Sequence, residues 1–109
     1  MAKGKATVNQ FKTNSSIGFR MIIPKRIVDE FQIKDKEIFC QKLIDGHIEM
    51  ERPINKNDEN TILINQFKTN SSFATRIIIL QDIVMNLNIE NKDIMLFKTE
   101  GQKIIIQKF

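Results

Sequence analysis

Apolar and polar positions alternate in short stretches along this chain, and clusters of Asn, Ser, Thr, Asp and Gly separate them. Thr7 to Phe11 alternates weakly and predicts a first strand. Thr13-Asn14-Ser15-Ser16 predicts a turn, because short Asn and Ser side chains hydrogen-bond their own backbone. Phe19 to Ile23 is apolar and predicts a second strand. Pro24 follows, and at a helix start its missing N–H costs nothing. Ile27, Val28 and Phe31 share one face of a helix of about two turns. Glu37 to Ile44 predicts a third strand, Asp45-Gly46 a tight turn, and Ile48 to Arg52 a fourth strand. The unit reads β-β-α-β-β.

The same pattern then returns. Asn9 to Ser16, Asn-Gln-Phe-Lys-Thr-Asn-Ser-Ser, recurs unchanged as Asn65 to Ser72, an offset of 56. That offset also aligns Arg20 with Arg76, Ile22-Ile23 with Ile78-Ile79, Ile27-Val28 with Ile83-Val84, and Ile48 with Ile104. The first copy spans 8–53 and the second 64–109, with 54–63 as a polar, Asn-rich linker. In the second copy Leu80 replaces Pro24, and the helix face becomes Ile83, Val84 and Leu87. Glu100-Gly101 makes the last turn one position away from Asp45-Gly46, which predicts final hairpin loops of different length. A unit this small rarely supports its own core. The expectation is therefore a single domain over 1–109, β-rich, on the border of all-β and α+β, with the two repeats interlocked around one core.

Composition narrows the class. The 109 residues hold no run of eighteen apolar residues, so no transmembrane helix is expected. The start, Met-Ala-Lys-Gly-Lys-Ala, lacks the apolar stretch of a secretion signal, and a cytoplasmic protein is expected. Cys40 is the only cysteine and His47 the only histidine, too few for a zinc site within one chain. Cys40 reads as a small hydrophobe, and His47, after Asp45-Gly46, as an exposed neighbour of a turn. No Gly-rich phosphate loop or Ser-His-Asp set is present, and no enzyme, cofactor or small-molecule substrate is expected. The net charge of +4 fits a polyanion partner, but the placement of the charges must decide.

The stretch Phe11-Lys12-Thr13-Asn14-Ser15-Ser16-Ile17-Gly18-Phe19-Arg20-Met21-Ile22-Ile23-Pro24-Lys25 resembles the AbrB/MazE/SpoVT family. That family shows a basic residue, a turn with Asn-Ser, and an Arg in a strand running into Ile-Pro-Lys. Ile33-Lys34-Asp35-Lys36-Glu37 resembles the family's approach to its third strand, and Asp45-Gly46-His47-Ile48 its closing hairpin. Both copies lack the family's Gly before the third strand, and the second has Gln81 and Asp82 in place of Lys25 and Arg26. The resemblance implies a swapped-hairpin barrel, here as a pseudo-dimer in one chain. It also implies double-stranded DNA as partner, a transcription regulator or DNA-coating role, and a nucleoid-associated location.

Residue chemistry supplies a matching set. Lys12 and Lys68 flank the two turns; Asn14, Ser15, Ser16, Asn70, Ser71 and Ser72 offer donors suited to phosphates and base edges. Arg20 and Arg76 stand in otherwise apolar strands, so each faces solvent or has a partner. Lys25 and Arg26 at the first helix start suggest an external anion and a stronger first copy. A plainer reading makes Thr-Asn-Ser-Ser a well-built turn and pairs Arg20 with a carboxylate such as Glu37. An alternative function is a protein-interaction module such as an antitoxin-like core, although with the last strand running to Phe109 no toxin-binding tail is expected. RNA binding by stacking is disfavoured by the lack of Trp and Tyr. Leu96 and Ile105, which replace Cys40 and Glu49, predict an apolar face for self-association, extended by Ile94 and Phe109.

Overall fold

The opening strand is broken in two at Val8, and the break exchanges partners between the copies. In a computed structural model, which describes residues 2–54 and 59–109, the first copy forms β1 (Lys3–Thr7), β2 (Asn9–Lys12), β3 (Ile17–Ile22), α1 (Lys25–Phe31), β4 (Ile38–Ile44) and β5 (His47–Glu51). The second forms β6 (Thr61–Leu63), β7 (Asn65–Lys68), β8 (Phe73–Ile78), α2 (Gln81–Leu87), β9 (Ile94–Glu100) and β10 (Lys103–Lys108). Two strands lie outside the expected set. β1 occupies a segment of which only Thr7 is expected in a strand from sequence, and β6 lies within the stretch assigned to the linker; residues 55–58 of that linker fall outside the described residues.

The strands form two antiparallel sheets, a six-stranded one ordered β1-β9-β10-β5-β4-β6 and a four-stranded one ordered β2-β3-β8-β7. Equivalent residues of the two copies meet at the centre of each. Met21 pairs with Ile77 across β3 and β8, and Glu49 with Ile105 across β5 and β10. At the edges the copies exchange strands: β1 pairs with β9 of the second copy, and β6 with β4 of the first. Val8 anchors the break, its N–H donating to the Asp93 carbonyl and its own carbonyl accepting from the Lys92 N–H, both at 2.8 Å. The buried cluster draws on both copies, including Val8, Met21, Ile27, Phe39 and Met50 with Ile64, Ile77, Ile83, Met95 and Ile104. One shared core follows from these pairings, since neither copy's apolar face is covered without the other.

Local chemistry explains where the copies differ. Pro24 caps α1 and has no N–H to satisfy. Its counterpart Leu80 has one, which donates to Gln41 Oε1 at 2.7 Å, while Gln41 Nε2 donates to the Ile78 carbonyl at 3.1 Å. Gln41 is fully buried, and its counterpart in the second copy is the apolar Phe97. Gln41→Leu should therefore leave a buried N–H unpaired and cost about 2 kcal/mol, a fall of roughly 10 °C in Tm. Calorimetry checks this, and adding Leu80→Pro should recover much of the loss.

The final hairpin loops have the same length, contrary to the expectation from Glu100-Gly101. Ile44 pairs with His47 and Glu100 with Lys103, leaving Asp45-Gly46 and Gly101-Gln102 as two-residue loops. Asp45 and Gly46 both take positive φ, whereas the second loop needs it only at Gly101, so the turn type changes and the length does not. Lys36 and Lys92, where the family pattern has Gly, sit at φ 67° and 75°, a conformation that favours glycine. Arg52 ties the first copy together: it donates to the Phe31 carbonyl at 2.6 Å and pairs with Glu37, holding that carboxyl below its usual range. Lys108 does the equivalent work, donating to the Asn88 carbonyl at 2.8 Å.

Candidate nucleic-acid interface

The four-stranded sheet has one face on the core and one toward solvent. Met21 and Ile77, fully buried, mark the inner face. Strand alternation places Phe11, Gly18, Arg20 and Ile22 on the other face, with Phe67, Ala74, Arg76 and Ile78 as their counterparts. Arg20 lies opposite Ile78 and Arg76 opposite Ile22, so the two arginines flank the central Met21–Ile77 pair symmetrically.

Each arginine stacks on a phenylalanine of its own hairpin. The Arg20 guanidinium carbon is 4.7 Å from the Phe11 ring centroid, and that of Arg76 is 4.9 Å from Phe67. Stacking leaves the planar fork of donors free while limiting its rotamers. Gly18 is the floor under Phe11: a Cβ there would lie 2.5 Å from the ring's Cζ. The second copy has Ala74 at that point, and Phe67 is the more exposed of the two rings. The proposed Arg20–Glu37 pair does not form, because Glu37 is taken by Arg52. Phe11 and Phe67 escaped the sequence reading, although a four-residue turn pairing Lys12 with Ile17 already sets Phe11 beside Gly18.

The two turns are built alike. Thr13 Oγ1 donates to the Ser16 carbonyl and accepts from the Ser16 N–H; Thr69 and Ser72 repeat both bonds. Thr13, Ser16, Thr69 and Ser72 thus hold the turns. Asn14, Ser15, Asn70 and Ser71 stand exposed at their tips. Because β3 and β8 run antiparallel, the tips lie at opposite ends of the sheet. Lys12 and Lys68 are exposed beside the tips but alternate onto the side opposite the arginines. Residues 9–28 and 64–81 together hold Lys12, Arg20, Lys25, Arg26, Lys68 and Arg76 and no Asp or Glu.

Lys25 and Arg26 are exposed on α1, away from the first copy's own turn. The Ile23 N–H donates to the Thr75 carbonyl at 2.8 Å, so α1 leaves the sheet beside the second copy's hairpin. Lys25, within 3.2 Å of Asp29, lines an open groove of about 870 Å³ together with Lys5, Gln66, Ser72 and Phe73. The first copy's helix cations thus flank the second copy's turn.

The outer face of the six-stranded sheet is mostly polar. Glu49 joins His47 at 3.0 Å and Lys103 at 3.1 Å, and these partners lower its pKa from the usual carboxylate value. His47, expected to be exposed, is half-buried there. Ile105 is buried and Leu96 is exposed; the two share a small pocket with Lys3, Lys98 and Gln107. Ile94 is half-buried and Phe109 exposed, while Cys40 is buried. Among the described residues no helix is long and apolar enough to cross a membrane, and no group of His, Cys, Asp and Glu could hold a metal ion. No protein-family model, curated protein or solved structure matches the chain.

Proposed function

We propose that this chain binds double-stranded DNA through the outer face of its four-stranded sheet and the two Thr-Asn-Ser-Ser turns. On this reading it is a single-chain form of the AbrB-type swapped-hairpin fold, acting as a transcription regulator or DNA-coating protein. One observation carries the proposal: two arginines, each stacked on a phenylalanine, flank the centre of a solvent-facing sheet whose strands hold no acidic residue. Paired arginines related by an approximate twofold match the twofold pseudo-symmetry of a duplex. Their forks suit guanine edges or phosphates, and the exposed Asn and Ser at the tips suit the flanking backbone.

Lys12 and Lys68, exposed beside the turn tips on the side away from the arginines, reach phosphates past the two ends of the sheet in this scheme. Replacing each with Ala should weaken binding to all duplexes alike and lower the slope of log K against log salt by about one unit per lysine. Fluorescence anisotropy on the region upstream of the protein's own gene and on random duplex, at two or more salt concentrations, measures both slope and specificity. Absence of binding to any duplex at low salt overturns the proposal and favours a protein-interaction module.

A further inference from the structure

We propose that the two ends of this interface are unequal composites of both copies, so that the chain takes a non-palindromic duplex in one orientation. The inference rests on the duplex-binding reading above. A homodimer presents two identical halves. Here the strand exchange sends each copy's helix to the other copy's turn, and the two helices carry different charge.

At one end, α1 packs close to β1 and beside the second copy's hairpin, as the Ile23–Thr75 hydrogen bond and the shared groove show. Lys3, Lys5, Lys25 and Arg26 lie on these two elements, against Asp29 and Glu30. Lys5 and Lys25 line one groove with Ser72 and Phe73 of the second copy's hairpin, and Lys3 lies further along β1 in the pocket with Leu96 and Lys98. At the other end the Ile79 N–H donates to the Phe19 carbonyl at 2.9 Å, so α2 leaves the sheet beside the first copy's hairpin. The residues equivalent to Lys3, Lys5, Lys25 and Arg26 are Glu59, Thr61, Gln81 and Asp82. β6, α2 and Glu59 together hold two acids and no Lys or Arg.

The central arginines and both turns are alike, so the sheet reads both halves of a duplex in the same way. The flanking charge does not: beside the second copy's turn β1 and α1 bring Lys5, Lys25 and Arg26 against Asp29 and Glu30, whereas the equivalent positions beside the first copy's turn are Thr61, Gln81 and Asp82. A more positive field at one end than at the other favours flanking DNA that bends or extends toward the basic end only. The ligand class is an asymmetric duplex, with its preferred half under the Asn70–Ser72 turn.

The test places a DNA-cleaving iron chelate on Met85→Cys, an exposed position of α2 outside the proposed contacts; Cys40 is buried. The probe DNA is the duplex enriched from a random-sequence library by binding to the wild-type chain. Cleavage on one flank only is the expected result. Equal cleavage on both flanks overturns the fixed orientation while leaving duplex binding intact. A library from which no duplex is retained overturns the binding proposal itself, and the orientation with it. A second variant carries Lys3→Glu, Lys5→Thr, Lys25→Gln and Arg26→Asp, giving the first copy the second copy's residues at exposed sites. It should bind about tenfold more weakly and cut both flanks of the same duplex. One-sided cleavage by that variant would show that flanking charge does not set the orientation.

Discussion

A chain carrying Arg20→Ala and Arg76→Ala is expected to keep its fold and lose duplex affinity by on the order of a hundredfold or more. Each arginine contact with a base edge is worth about 1–3 kcal/mol, and the two sites are distinct enough for their losses to add. The cost to folding is small. Each guanidinium lies on the solvent side of its sheet, and its one described partner is a phenylalanine ring. An exposed stack of that kind is worth about 0.5–1 kcal/mol. Lysine at both positions should restore little, because an ammonium lacks the planar fork. Anisotropy titrations beside thermal melts separate the two effects. A double variant that loses its melting transition would make these arginines structural.

Residues 1–56 expressed alone should yield a homodimer or an unfolded chain. Cutting there removes β9 from β1, β6 from β4 and β10 from β5, and takes Ile77 away from Met21. The exposed remainder includes Met21, Ile23, Ile48 and Met50, all buried in the whole chain. A unit of this size without its partner buries too little apolar surface to offset its conformational entropy. Self-pairing can rebuild both central contacts, since Met21 and Glu49 already face their own counterparts. Sedimentation and circular dichroism distinguish the outcomes, and a folded monomer would contradict the shared core.

Much of this arrangement is legible in the sequence, and the parts that are not have physical reasons. The repeat and its offset fix the helices, the turns and the pairing of like with like, because an unchanged eight-residue stretch and an in-register apolar pattern leave little choice. β1 escapes because its inward residues are Gly4 and Ala6, small enough to give no apolar signal, while its outward ones are lysines. β6 escapes because only Ile62 of its three residues is buried, and it follows an Asn-rich stretch. The arginines and turns are visible as candidates, but the stacking under each arginine depends on cross-strand register. The exchange that carries Lys25 to the other copy's turn depends on β3 and β8 being neighbours, which no local pattern states.

The central claim is that DNA lies on the outer face of the four-stranded sheet. Titrating isotope-labelled chain with duplex DNA and following backbone amide shifts by nuclear magnetic resonance tests it most directly. The predicted shifts cluster at residues 12–16, 68–72, Arg20 and Arg76, with smaller changes at Lys5 and Lys25. Shifts centred instead on Glu49, Lys98 and Lys103 of the six-stranded sheet, or no shifts at all, would contradict it.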